Sequence, residues 1–176
     1  MLTVNKYKDV LLKEFYLDSD DITIRRKTNG YRGRWQKHDI VEGYKLCKYG
    51  YKGIHIPRTR TTVNEAHLIT LLRGIDIPDD KVIDHINGDT RDNRRCNIRI
   101  VTTAVNCRNS RKKSNNTSGH TGISWNKKEN CYIVRRYING VRQYGGSAKT
   151  IEQALELLKI LDAKAVNDGY TTRHGK

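Results

Sequence analysis

Short runs of β-branched and aromatic residues alternate with polar, glycine-containing turns along much of the chain, and this pattern is typical of small β-strands. Before residue 58 the runs span 22–26, 44–47 and 51–56, and a short helix is favoured over 11–16. The segment 68–73 has helical spacing and stops before Gly74. We therefore expect a strand-rich region over residues 1–58, followed by a helix.

The middle of the chain has two apolar runs that flank a polar loop. Residues 82–85 and 97–103 are rich in Val, Ile and Thr, and Asn87-Gly88-Asp89 begins the loop between them. These runs predict a pair of antiparallel strands. Thr103 then places a hydroxyl where it can cap a short helix over 104–109. The expected unit is strand, loop, strand, helix.

The last third of the chain predicts a three-stranded sheet packed against one helix. Strands are expected over 121–125, 132–138 and 141–144, with Asn139-Gly140 as a two-residue hairpin turn. Thr150 is placed to cap a helix from Ile151 to about Asn167, and Gly169 lies beyond its end.

Alternation along the second of these strands assigns its side chains to two faces. Ile133, Arg135 and Tyr137 are expected to share one face. We expect Trp125 and Tyr132 to pack in the core rather than to serve as stacking platforms.

Together these elements predict an α+β protein made of a strand-rich lead-in, a ββα module and a final sheet-and-helix unit. The expected divisions are 1–58 for the N-terminal region, 59–110 for the ββα module, 111–119 for a basic linker and 120–176 for the last unit.

The net charge of the chain indicates a polyanionic partner. The 176 residues contain 34 Lys and Arg against 19 Asp and Glu, a formal net charge of +15. Attraction to phosphate is therefore expected before any base is recognised. The segment from 108 to 150 contains ten basic residues and one acidic residue, Glu129. A solubilising charge run is the alternative interpretation of this segment. The candidates for DNA contact are Arg108, Arg111, Lys112, Lys113, Lys127, Arg135 and Arg142.

Other classes of protein fit the sequence poorly. It has no apolar run of membrane-spanning length and no signal-peptide core near Met1, so we expect a cytoplasmic protein without a membrane partner. The cysteines form no CxxC pair, which argues against a zinc knuckle and a disulfide scaffold. They are Cys47, Cys96, Cys107 and Cys131.

The chemistry-bearing residues lie in and after the ββα strands. Asp84-His85 ends the first strand, Asn97 follows Asp84 by 13 residues, and Asn106 follows Asn97 by 9. An imidazole can activate water near neutral pH, and a cation on oxygen ligands can stabilise a leaving oxygen. The same Asp-His pair before Asn-Gly also occurs in plain polar hairpins, and this alternative stays open for that fragment.

This constellation resembles the HNH nucleases, in particular the small phage homing endonucleases encoded within introns. The resemblance implies that Asp84 and Asn106 bind one divalent cation, Mg²⁺ or Mn²⁺, and that His85 is the general base. It implies that Asn97 holds the histidine loop in place, and His67 resembles a family histidine upstream of the site. Double-stranded DNA is the implied substrate, cut by a phage-encoded enzyme inside the host cell.

The last unit resembles the Apetala-two domain of plant ethylene-response transcription factors. The matching residues are 122–125, 132–138, Asn139-Gly140, Gly146 and 151–154. In that family the sheet lies in the DNA major groove. Ser124 stands where plant members often have a base-contacting arginine, and Arg136 stands where an apolar core residue is usual.

The remaining expectations concern the start of the chain and the assembly. Arg25-Arg26-Lys27 fits a phosphate grip and a solvated hairpin equally well. One copy of the motif, without an internal repeat or apolar heptads, favours a monomer that nicks one strand and has no obligatory protein partner. A DNA-binding regulator built on a non-catalytic HNH scaffold is the alternative function.

Overall fold

The computed structural model describes residues 1–46, 50–109 and 114–165 of the chain. Its contacts divide into two compact units, Met1–Thr103 and Ala104–Lys176, each of which is described by itself. Both units mix helices with small antiparallel sheets, so the α+β class expected from the sequence is confirmed. Within the described residues, no helix has the length and apolar character needed to cross a membrane.

The first unit opens with two short helices and a small two-stranded sheet. These elements are α1 (Thr3–Lys6), α2 (Lys8–Glu14), β1 (Phe15–Leu17) and β2 (Ile24–Arg26). The helix expected over 11–16 therefore ends two residues early, because Phe15 and Tyr16 pair with Arg26 and Arg25 in the sheet. Phe15 is fully buried there, so tertiary packing outweighs the local helical spacing.

A three-stranded antiparallel sheet follows. Its strands are β3 (Tyr44–Lys45), β4 (Lys52–His55) and β5 (Thr62–Asn64), in the order β3-β4-β5. The strands expected over 44–47 and 51–56 are confirmed with shorter bounds, and Cys47 lies outside the described residues. The sheet leads directly into helix α3 (Glu65–Leu72).

Helix α3 has clear start and stop signals. The Asn64 side chain accepts a hydrogen bond from the Ala66 N–H at 2.9 Å and so caps the helix N-terminus. Gly74 follows the last turn with φ of +76°, a conformation that glycine adopts without strain. The expected helix over 68–73 is present and starts three residues earlier than the sequence pattern indicated.

One apolar core joins the elements of the first unit. It takes side chains from the N-terminal helices, from both sheets and from α3, and Ile83 of the next strand also packs in it. Its fully buried side chains include Leu11, Phe15, Ile54, Ile56, Val63 and Leu68. The strand that carries the Asp-His pair is thus fixed against a core to which the N-terminal region contributes.

The expected hairpin of the ββα module is confirmed. Strand β6 (Lys81–His85) pairs antiparallel with β7 (Ile98–Thr102), and a short 3₁₀ turn at Arg95–Asn97 precedes the second strand. Helix α4 (Thr103–Arg108) follows at once.

The second unit contains the expected three-stranded meander. Strands β8 (Ile123–Asn126), β9 (Cys131–Ile138) and β10 (Val141–Ala148) pair antiparallel in the order β10-β9-β8. Asn139 and Gly140 have φ of +51° and +77°, as a type I′ hairpin turn requires.

Helix α5 (Ile151–Lys164) covers one face of this sheet. The Thr150 hydroxyl accepts from the Gln153 N–H at 3.4 Å, which confirms the expected cap. Ala154, Leu158 and Leu161 are buried against Ile123 and Val134. The predicted end of the helix, at Asn167 and Gly169, lies outside the described residues.

The expectation that Trp125 is buried was wrong, since the residue is 39% exposed. It lies on edge strand β8, whereas α5 packs mainly against β9 and β10. The indole instead meets the half-buried Tyr132 ring edge-on, with the ring centroids 4.7 Å apart. Tyr132 packs against the core, as predicted.

Candidate functional site

Strand β6 directs its last two side chains to different surroundings. Asp84 and His85 are consecutive, so their side chains leave opposite faces of the two-stranded sheet. Each residue is only 4% exposed. A buried carboxylate and a buried imidazole at the end of one strand need hydrogen-bonding partners, and both residues have them.

Asp84 is paired with Arg99, its cross-strand neighbour on β7. The guanidinium donates from Nε and Nη2 to Asp84 Oδ2, at 2.8 and 2.7 Å. Cross-strand pairs lie on one face of a sheet, so the register itself brings the two groups together. The carboxylate is thereby held in a fixed orientation.

The imidazole of His85 is held by a chain of two further side chains. His85 Nε2 lies 3.0 Å from Asn93 Oδ1 inside the protein. Asn93 Nδ2 donates in turn to Glu65 Oε2 at 3.3 Å. Asn93 is 3% exposed. Burial raises the pKa of the Glu65 carboxyl, against the opposing effects of Lys52, the Gly43 N–H and Asn93.

His67 and Tyr51 lie near the same imidazole. His67 is half-buried on helix α3, and its pKa is lowered by burial and, to a smaller extent, by the charge of His85. The Tyr51 ring is edge-on to the His85 ring at a centroid distance of 6.3 Å. The structure therefore brings three of the predicted residues, Asp84, His85 and His67, to one end of strand β6.

The loop after His85 is fastened by the side chain of Asn97. Its Oδ1 accepts from the Asn87 N–H at 2.9 Å, and its Nδ2 donates to the Asp92 carbonyl at 2.8 Å. The backbone adds a bond from the Ile86 N–H to the Asn97 carbonyl, at 2.9 Å. Asn97 is 5% exposed, so it joins both ends of the loop from inside.

Asn106 belongs to helix α4, in the second unit. It is half-buried, and its carbonyl accepts from the Asn109 N–H at 3.0 Å. Its pairing with Asp84 around a cation stays a prediction.

Residues 69–108 match the family model of the HNH endonucleases. The match covers less than half of the chain and includes Asp84, His85, Asn97 and Asn106, while His67 lies before it. No curated protein and no solved structure matches the chain. The HNH match supports a nuclease that acts on DNA.

The second unit presents a basic and aromatic sheet face. In the β9–β10 register Arg142 is opposite Tyr137, and Tyr144 is opposite Arg135, so the four side chains share one face. Tyr137 and Tyr144 are 56% and 62% exposed. A groove of about 480 Å³ in this unit is lined by Arg108, Arg135 and Arg142, among others.

The other predicted basic contacts are placed less fully. Lys127 is exposed in the turn between β8 and β9. Arg111, Lys112 and Lys113 lie outside the described residues.

Three residues that contact the site, Arg99, Asn93 and Glu65, were not predicted from the sequence. Arg99 could have been found, because antiparallel pairing of the two predicted strands places it opposite Asp84. Asn93 and Glu65 had no such signal, since Glu65 is 28 positions before Asn93 and outside the hairpin. Tertiary contacts of this kind leave no trace in local periodicity.

Proposed function

We propose that the chain is a metal-dependent DNA endonuclease of the homing type that nicks one strand and acts as a monomer. The observation that carries the proposal is the HNH match over the hairpin in which Asp84 and His85 end a buried strand. The homing assignment is supported by the resemblance of this motif to intron-encoded nucleases. One motif copy in the chain supports a single cut per binding event.

In this proposal His85 acts as the general base. Its imidazole takes a proton from a water molecule whose oxygen attacks phosphorus, and the bond from phosphorus to the 3′ oxygen breaks. A base works well only when it is held in one orientation, and the 3.0 Å contact with Asn93 supplies that restraint. Asn97 would hold the loop after His85 in place, through its bonds to Asn87 and Asp92.

The donor set fits a hard divalent cation, Mg²⁺ or Mn²⁺. Asp84 offers a carboxylate that Arg99 orients, and Asn106 offers an amide oxygen. Within the described residues no three His, Cys, Asp or Glu side chains are grouped for metal binding, so a cation would have few protein ligands. Mg²⁺ characteristically keeps several waters and takes phosphate oxygens. When bound, the ion would supply positive charge opposite the leaving oxygen.

The second unit is proposed to hold the DNA. Arg135 and Arg142 share a face with two exposed tyrosines, and such a basic, aromatic face suits a sheet that lies in a DNA groove. Basic side chains on backbone phosphate position a protein, whereas side chains on base edges read the sequence. We assign positioning to Arg108, Lys127 and the 111–113 segment, and groove contact to Arg135 and Arg142.

A plasmid-nicking assay tests the function. Wild-type protein is expected to convert supercoiled plasmid into nicked circles with Mg²⁺ or Mn²⁺ and not with EDTA. His85→Ala should abolish nicking and keep DNA affinity within about twofold in a gel shift, because binding and catalysis use different residues. His55→Ala is the matched control, since His55 is exposed.

Asp84→Ala extends the same assay to the metal. We expect lost activity and only partial recovery when Mn²⁺ is raised. A wild-type protein that binds DNA tightly but never nicks it with either ion would favour the regulator with a non-catalytic scaffold. Unchanged metal titration in Asp84→Ala would remove Asp84 from the ligand set.

A further inference from the structure

Three side chains from separate parts of the first unit form one hydrogen-bonded line. Glu65 begins helix α3, Asn93 lies in the loop after β6, and His85 ends β6. The line runs from Glu65 Oε2 to Asn93 Nδ2 at 3.3 Å and from Asn93 Oδ1 to His85 Nε2 at 3.0 Å. The contact between Asn93 and His85 is buried.

The chemistry of these groups fixes the direction of each bond. A carboxylate can only accept hydrogen bonds, so the group that faces Glu65 must be the Asn93 amide NH₂. The Asn93 carbonyl oxygen then faces His85, and it also can only accept. His85 Nε2 must therefore carry the proton, and in a neutral imidazole the lone pair is left on Nδ1.

Glu65 and Asn93 are themselves held in place by further contacts. The Glu65 carboxylate accepts from the Gly43 N–H and lies near Lys52. A Cβ at Gly43 would stand 2.9 Å from Glu65 Oε1, so glycine there leaves room for the carboxylate. The Asn93 carbonyl accepts from Arg73 Nη2 at 2.8 Å, which fixes the backbone of that residue.

We propose that Asn93 and Glu65 are positioning residues that hold His85 in the Nε2–H tautomer, so that Nδ1 is the atom that removes the proton from water. Glu65 acts indirectly: its hydrogen bond with Asn93 determines which end of the Asn93 amide faces the imidazole. The catalytic consequence rests on the proposed function. The tautomer does not, because it is a property of the folded protein without DNA.

Nuclear magnetic resonance measures the tautomer directly. Protein labelled with ¹⁵N at histidine, observed with neutral imidazoles, should show His85 with a protonated Nε2 and an unprotonated Nδ1, in one tautomer. Exposed His55 serves as the internal reference for a tautomer mixture. A mixture at His85 like that at His55, or an Nδ1–H form, would overturn the proposal.

Variants test whether the line sets the tautomer. Asn93→Leu should shift His85 towards the mixture seen at His55, because the acceptor is gone. Glu65→Gln should keep the wild-type spectrum, since the Gln carbonyl can still accept from Asn93. Glu65→Lys should invert the tautomer, because a donor at 65 makes the amide turn its NH₂ towards His85. If Asn93→Leu does not fold, the wild-type spectrum and the Glu65 pair still decide the question.

Kinetics separate positioning from simple stability. For folded Asn93→Leu we expect kcat to fall about 10–100-fold with KM nearly unchanged, as for loss of a group that orients a catalytic base. Glu65→Gln should stay near wild type. A wild-type tautomer retained in Asn93→Leu would refute the positioning role even if activity fell. Inactive wild-type protein with the expected tautomer and shifts would refute the proposed function alone.

Discussion

Removing the side chain of Asn97 should loosen the loop after His85 while leaving the hairpin paired. The amide makes two hydrogen bonds, at 2.9 and 2.8 Å, to the backbone of Asn87 and Asp92. Asn97→Ala removes both bonds and leaves an N–H and a C=O without these partners. The backbone bond from Ile86 to residue 97 does not use the side chain and should persist.

The structure sets the size of the effect. A neutral hydrogen bond contributes about 1 kcal/mol net, and a buried group left without a partner costs about 1–3 kcal/mol. Asn97 is 5% exposed, but Asn87 lies at the surface and can regain water. We therefore expect the free energy of unfolding to fall by about 2–4 kcal/mol. Nicking should fall with it, and DNA affinity should change little.

Tryptophan fluorescence offers a clean measurement. The chain has two tryptophans, one in each unit, so a Trp125→Phe background leaves Trp35 to report on the first unit. Urea unfolding of that protein with and without Asn97→Ala gives the difference in free energy. Asn115→Ala is the control, because Asn115 is exposed outside the loop. A change below about 0.5 kcal/mol, the range of ordinary surface substitutions, would refute the reasoning.

The remaining predictions concern DNA contact, products and pH. Lys127→Ala should lower the slope of log K against log[salt] by about 0.9, as expected for one lost phosphate contact, whereas Lys159→Ala on α5 should leave it unchanged. Arg135→Ala and Arg142→Ala should instead alter sequence preference, measured by selection from a random DNA pool. Nicked circles should accumulate before linear DNA, and linear product at the earliest times would contradict a single cut per binding event. Burial lowers the pKa of His67 below its ordinary value of 6.5 in the folded state. Below pH 6.5 the unfolded chain therefore binds more protons than the folded chain. The free energy of unfolding should fall as the pH drops through this range. His67→Gln should flatten that fall in acid-unfolding curves, and His55→Gln should not.

Much of the local structure could be predicted because it depends on short-range patterns of residues in the sequence. The β6–β7 hairpin follows from two β-branched runs, and the β9–β10 hairpin follows from Asn139-Gly140 between apolar strands. These signals need only the residues that form them. The HNH spacing is local in the same sense, since Asp84 and Asn97 bracket one loop.

The errors arose where distant residues decide the local structure. Phe15 lies in a strand rather than in the expected helix, because it is buried in a core shared with the rest of the first unit. Trp125 remained partly exposed because it lies on edge strand β8, whereas α5 packs mainly against β9 and β10. The contact of Glu65 with Asn93 depends on how α3 packs, which no pattern around either residue encodes.

Arg136 shows why net charge alone overstates the number of basic side chains that are candidates for DNA contact. It lies on the helix-covered side of β9 and is 9% exposed, where the sequence comparison led one to expect an apolar residue. Its Nε and Nη2 donate to the two carboxylate oxygens of Asp162 on α5, at 2.6 and 3.1 Å. A buried guanidinium needs such a partner, since an unpaired charge inside a protein is very costly.

The pair therefore joins sheet to helix and removes one cation from the basic set between 108 and 150. The neighbouring Arg135 belongs to that same set but takes the opposite face, with Tyr144 across the strand. Strand register, rather than the charge count, separates the arginine that stabilises the unit from the arginine that we propose as a DNA contact. This is the physical ground for testing Arg135 and Arg142 as DNA contacts while treating Arg136 as part of the fold.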